Sequence, residues 1–219
     1  MNVKLLQLVS PALPVGAYSY SQGLEAAIDS GEVRDAASAA RWIGGVFALA
    51  IAAMEAPVLL RLREAWRAGD APAAATWNEE FLASREGAEL RAETLQMGYS
   101  MRRLADDLGI PGREALDAME ELAYPTAFAF AAAAWQLDAR ETAGAYLFAW
   151  LENQVLAAVK CIPLGQADGQ RMLLALAEAI PGAVEQAASR ADEELLNFAP
   201  GLSLATARHE TQYSRIFRS

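Results

Sequence analysis

Cysteine and histidine occur once each in this 219-residue chain, as Cys161 and His209. One cysteine excludes an intramolecular disulfide. One thiol and one imidazole fall short of the nitrogen and sulfur ligand set that an ordinary zinc or nickel centre needs. β-branched residues are sparse, which argues against a sheet. Cations are outnumbered, 18 Lys and Arg against 28 Asp and Glu, for a formal charge of −10. That balance excludes non-specific nucleic-acid binding, which needs clustered Lys and Arg. No apolar run is longer than Val46 to Met54, which Glu55 ends. Such a run is far short of the roughly 20 residues that span a bilayer. The start, Met1-Asn2-Val3-Lys4, lacks the cationic and long apolar regions of a secretory leader. The expectation is a soluble cytoplasmic protein, with no membrane and no nucleic acid among its partners.

Catalytic vocabulary is missing too. Leu13-Pro14-Val15-Gly16 lacks the Gly, Lys and hydroxyl pattern of a phosphate cradle. His209 stands far from any Ser or Cys in a nucleophile-elbow motif, and reads as a solvated or partner-contacting residue. Cys161 reads as a small buried residue near a helix end. No catalytic residue, no metal ligand and no cofactor is assigned.

What is present is alanine and leucine within a 54% hydrophobic composition. Alanine is the strongest helix former. The chain reads as all-α, an Ala-rich single-domain bundle of about eight to ten helices with a partly ordered C-terminal tail. Residues 1–198 form the all-α domain, and residues 199–219 the tail. Ser19 and Gln22 read as a capping box opening a helix over 20–30. Asp35 caps a helix whose inward face is Trp42, Val46, Leu49 and Ala53, and Pro57 kinks or restarts it. Leu59, Leu62 and Trp66 continue the stripe to Gly69, and Pro72 opens the next helix. Further helices fall at 86–108, 113–123, 139–161, 166–179 and 182–197. The stretch 128–137, apolar on nearly every side, belongs at the bundle centre or at a subunit interface.

Three polar blocks interrupt this pattern: residues 10–25, residues 160–166 and residues 209–219. Tyr18, Ser19, Tyr20, Ser21 and Gln22 crowd hydrogen-bonding side chains together, and capping explains only two of them. Buried partners or another protein must satisfy the rest. Lys160 complements a helix C-terminus, and Pro163 and Gly165 make an exit turn. That structural account leaves Gln166 unexplained. Tyr213, Arg215, Phe217 and Arg218 supply the aromatic and Arg anchors favoured at protein interfaces.

The same blocks resemble the urease accessory protein UreF family. Residues 13–25 look like its opening signature. Lys160 with Pro163-Leu164-Gly165-Gln166 is similar to its second signature, and residues 209–219 resemble its tail. Tyr124-Pro125 is a weaker match. The resemblance implies a non-catalytic homodimeric adaptor and chaperone. It bridges UreD (also called UreH) and the GTPase UreG, coupling GTP hydrolysis to nickel insertion into apo-urease. Partner-facing roles then fall on Tyr18, Tyr20, Gln22, Lys160, Pro163, Gly165, Gln166, Tyr213, Arg215, Phe217 and Arg218, and the tail is expected to order against UreD. Two alternatives stay open. One is a GTPase-activating regulator that inserts Arg215, Arg218 or Gln166 into UreG. The other is a helical scaffold unrelated to urease.

Overall fold

A computed structural model describes residues 2–219. No strand occurs among them. The helices are α1 (Val3–Leu8), α2 (Leu24–Asp29), α3 (Ala36–Val46), α4 (Ala56–Ala68), α5 (Ala71–Ala83), α6 (Ala88–Asp107) and α7 (Glu114–Asp117), then α8 (Tyr124–Ala134), α9 (Ala139–Cys161), α10 (Gln166–Ala177), α11 (Ile180–Ser189) and α12 (Pro200–His209).

The axis of the bundle is a 33-residue helix, Ala36–Ala68. Asp35 opens it with a capping box closed by Ser38, which satisfies orphan N–H groups at its start. Its middle, Phe47–Glu55, has π-helical turns. Pro57 has no N–H to give the carbonyl of Ala53, one turn earlier. Arg190 Nη1 lies 3.5 Å from that carbonyl instead. By length and composition Ala36–Ala68 could cross a membrane, although its longest unbroken apolar run is short. In the fold, 67% of its most apolar window is buried. It is the core helix of the bundle, packed against α8, α9 and α11.

Helix α8 sits at the bundle centre, wedged between α4 and α6. Phe128, Phe130 and the alanines from Ala127 to Ala132 are all buried. Each buried Phe contributes about 2–3 kcal/mol, and the alanines let neighbouring helices approach closely. Gly98 of α6 is what allows the chain to enter α8. A Cβ there would lie 1.9 Å from the carbonyl oxygen of Leu122.

Two helices are shorter than their sequence predicts. The 113–123 segment is helical only over α7, because side chains claim the backbone after it. Asn78 donates to the Glu121 carbonyl and accepts from the Ala123 N–H, and Arg102 donates to the Met119 carbonyl. Similarly, α11 ends at Ser189, where Arg190 turns extended and its carbonyl accepts from Arg61. The stretch after residue 199, by contrast, carries a regular helix, α12.

Candidate functional site

The first block does not open a helix at Tyr20. It makes a 3₁₀ turn at Ala17–Ser19, then passes through left-handed backbone at Gln22 (φ 50°) and Gly23 (φ 78°) before α2 begins. The expected Ser19–Gln22 capping box is absent because Gln22 turns inward. Its Oε1 accepts from Trp150 Nε1 at 2.7 Å, and its Nε2 donates to Glu93 Oε1 at 2.7 Å. Left-handed backbone is costly for a non-glycine residue, so these two half-buried bonds hold the turn. Gly23 then admits α12. A Cβ there would sit 3.1 Å from Ala205 Cβ.

The tail runs beside this turn as an extended strap. Arg218 N–H donates to the Ser19 carbonyl and Ser21 N–H to the Ser219 carbonyl, both at 2.8 Å. The Glu25 carboxylate accepts the N–H groups of Ile216 and Phe217 at 2.7 and 2.9 Å. Ser219 Oγ donates to Glu93 Oε2 at 2.9 Å, and Arg215 donates to Glu89 Oε1 at 2.8 Å. At the head of the strap, His209 is fully buried between two carboxylates. Its Nδ1 lies 2.7 Å from Glu89 Oε2 and its Nε2 3.3 Å from Glu25 Oε2. The sequence reading of His209 as a solvated or partner-contacting side chain is thereby corrected on solvation: the ring is sealed from water by α2, α6 and the tail.

The second block meets the other two at the C-terminus of α9. Lys160 Nζ stands 5.4 Å from the Phe217 ring centroid and 5.9 Å from that of Tyr18, within cation–π range. Asn153, two turns earlier on α9, donates to the Tyr20 carbonyl at 3.1 Å. Pro163, Gly165 and Gln166 follow at the exposed entry to α10. Three segments far apart in sequence therefore form one composite face, the first more than a hundred residues from the other two.

That face has an inner and an outer layer. Tyr20 and Phe217 are each only 5% exposed, and Gln22 is half-buried with its amide turned to Trp150 and Glu93. Tyr18 is 63% exposed and Tyr213 fully so. Lys160, Pro163, Gly165, Gln166, Arg215 and Arg218 also lie at the surface. Arg218 tends to lower the pKa of the Tyr20 phenol. Burial and the nearby Glu93 outweigh it and hold the phenol above its ordinary value.

Beneath the face lies a polar interior that the sequence reading missed. A cavity of about 80 Å³ is lined by Gln22, Glu55, Arg85, Glu93, Tyr124, Tyr146 and Trp150 among others. Glu55 accepts from Arg85 at 2.7 Å and from the Tyr146 hydroxyl at 2.9 Å. Burial raises Glu93 to about 7, against the pull of its bonds from Gln22 and Ser219. One signal was legible: Glu55 directly follows the apolar run, where a solvated carboxylate has no place. Glu25 and Glu93 carry no such mark. Cys161 is partly buried, and burial together with Glu25 pushes its thiol up to about 11. Among the described residues, no group of three or more His, Cys, Asp and Glu side chains is arranged to hold a metal ion.

This composite face can be set beside known proteins. The sequence matches the family described as UreF over residues 33–177. It is 56% identical to the urease accessory protein UreF of Azoarcus sp. (strain BH72) over 222 aligned residues, covering 99% of this chain and 95% of that protein. The corresponding protein of Dechloromonas aromatica (strain RCB) is 52% identical, covering 99% and 96%. The chain belongs to the UreF family. It is thus one of the accessory proteins of urease maturation. The family match includes Lys160, Pro163, Gly165 and Gln166 but stops short of both the first block and the tail. The near-full-length relatives extend the likeness across nearly all of the chain.

Proposed function

We propose that the chain is a non-catalytic adaptor of urease maturation. It bridges UreD (UreH) and the GTPase UreG, so that GTP hydrolysis is coupled to insertion of nickel, the cargo, into apo-urease. It works in the cytoplasm as a homodimer. Supporting this reading, beyond family membership, is one observation: Lys160 stands close to both Tyr18 and Phe217, so three remote segments present one surface.

Cationic and aromatic side chains in a chain of charge −10 make this surface chemically distinct from its surroundings. Arg, Tyr and Lys at a rim set orientation and association rate, while buried aromatic anchors carry affinity. The proposed partner contacts are the outer residues Tyr18, Lys160, Pro163, Gly165, Gln166, Tyr213, Arg215 and Arg218. Tyr20, Gln22 and Phe217 form the frame that holds them. The sequence reading has the tail order against UreD; because the strap is already hydrogen-bonded to the body of the free chain, a partner has less of it left to order.

Mixing the purified chain with UreD and UreG and separating by size exclusion tests the reading. One joint peak is expected, and separate elution of all three would contradict it. GTP turnover by UreG in the same mixture discriminates the roles. An acceleration of about 10³-fold or more on adding the chain alone would make it an activating protein with an arginine finger.

A further inference from the structure

We infer that the strap formed by residues 215–219 is held by a proton-dependent latch, in which His209 bridges Glu25 and Glu89 only when both ring nitrogens carry hydrogen. The inference is independent of the urease reading, since it concerns contacts within one chain.

The geometry makes the case. A neutral imidazole has one N–H donor and one lone pair, whereas both nitrogens donate in the imidazolium. Here Nδ1 faces Glu89 and Nε2 faces Glu25. A charged carboxylate offers no hydrogen to a lone pair, so the neutral ring satisfies one neighbour and opposes the other. The ring is fully buried, so water does not relieve that opposition.

Each carboxylate also grips the strap. Glu25 holds the Ile216 and Phe217 N–H groups, and Glu89 holds Arg215. The doubly protonated ring with Arg215 balances Glu25 and Glu89. Loss of one ring proton leaves two carboxylates facing a single cation. Freeing either carboxylate to reach water means releasing the strap bonds that it accepts.

Other groups border the latch. Glu25 acts on Cys161 of α9, whose thiol burial has already pushed up to about 11, outside the neutral range. Lys160 beside it contacts Phe217 of the strap. On α6, Glu93 accepts from Ser219. On the far side, Glu210 accepts the Ala88 N–H, and the Arg218 charge acts on Tyr20. Of these, burial raises Glu93 to about 7, so its contribution has to be separated from that of His209.

His209 is the chain's single histidine, so its ring signals in a ¹⁵N NMR spectrum are unambiguous. The full-length protein should show both ring nitrogens protonated while the Ile216 and Phe217 amides are protected from exchange. As the ring loses its proton, amide protection, corrected for intrinsic exchange, should fall by up to about tenfold per pH unit. Glu93→Gln should retain this fall. Glu89→Gln should abolish it, because a Gln amide donates to the lone pair of a neutral ring. His209→Ala risks unfolding a buried site, whereas Glu89→Gln preserves size and the acceptor for Arg215. A neutral single-tautomer ring coexisting with protected strap amides would overturn the latch, as would an unchanged fall in Glu89→Gln.

Discussion

Phe217 donates its backbone N–H to Glu25 Oε2 at 2.9 Å, a bond that closes 192 residues of chain. The carboxylate that accepts it is 6% exposed and is shared with Ile216 and His209. Glu25 is therefore the point where α2, α12 and the strap are joined. Truncating it leaves two backbone donors and an imidazole without their acceptor, and each unsatisfied buried group costs about 1–3 kcal/mol. Glu25→Ala should destabilise the protein by about 3 kcal/mol. That corresponds to a melting temperature lower by roughly 6–12 °C in calorimetry. A loss under about 0.5 kcal/mol, the range of ordinary surface changes, would show that the strap is not part of the folded body.

Gly98 offers a steric test of how α8 is entered. A Cβ at this position overlaps the Leu122 carbonyl at 1.9 Å, and backbone cannot rotate away as a flexible side chain can. Gly98→Ala should cost at least about 3 kcal/mol in urea unfolding. Gly182→Ala, with nothing within 4 Å of the new Cβ, should be neutral or stabilising by about 0.5–1 kcal/mol.

Glu93 sets a pH dependence of the fold. Burial raises its carboxyl from an ordinary 4.5 to about 7, so the folded state favours the protonated form. The resulting stability is full below about pH 4.5, declines above it, and is lost as pH rises through 7. The difference amounts to roughly 3 kcal/mol. Chemical denaturation of wild type and Glu93→Gln at pH 5 and pH 8 should show that the variant loses this contribution to the slope. Parallel curves for the two proteins would refute the assignment.

Cys161 should be a poor nucleophile despite its neighbour Lys160. With its thiol at about 11, the thiolate fraction at pH 8 lies on the order of a hundredfold below that of a free cysteine. Alkylation by iodoacetamide, followed by mass spectrometry, should be slower by about that factor than for a model thiol.

The all-α class, the Asp35 cap and the central placement of the first half of 128–137 were legible from local chemistry. Caps and amphipathic stripes are short-range signals. The misjudged segments share a different cause. Gln22, the 118–123 segment and Arg190 are each set by a side chain from a distant element. Trp150, Asn78 and Arg61 claim groups that local rules assign to a helix. The three blocks were visible as departures from helical composition. Their convergence was not, because Lys160 and Phe217 carry no mark in sequence that they meet. His209 was misjudged for the same reason, since its burial depends on Glu25 and Glu89 arriving from two other helices.

The most direct test of the central claim measures partner binding by the outer layer alone. A Tyr18→Ala, Lys160→Met, Arg218→Ala triple variant should melt within a few degrees of wild type, because all three side chains reach the surface. In calorimetric titration against UreD and UreG it should lose about a hundredfold in affinity, near 2.7 kcal/mol. Wild-type affinity in a normally folded triple variant would contradict the account.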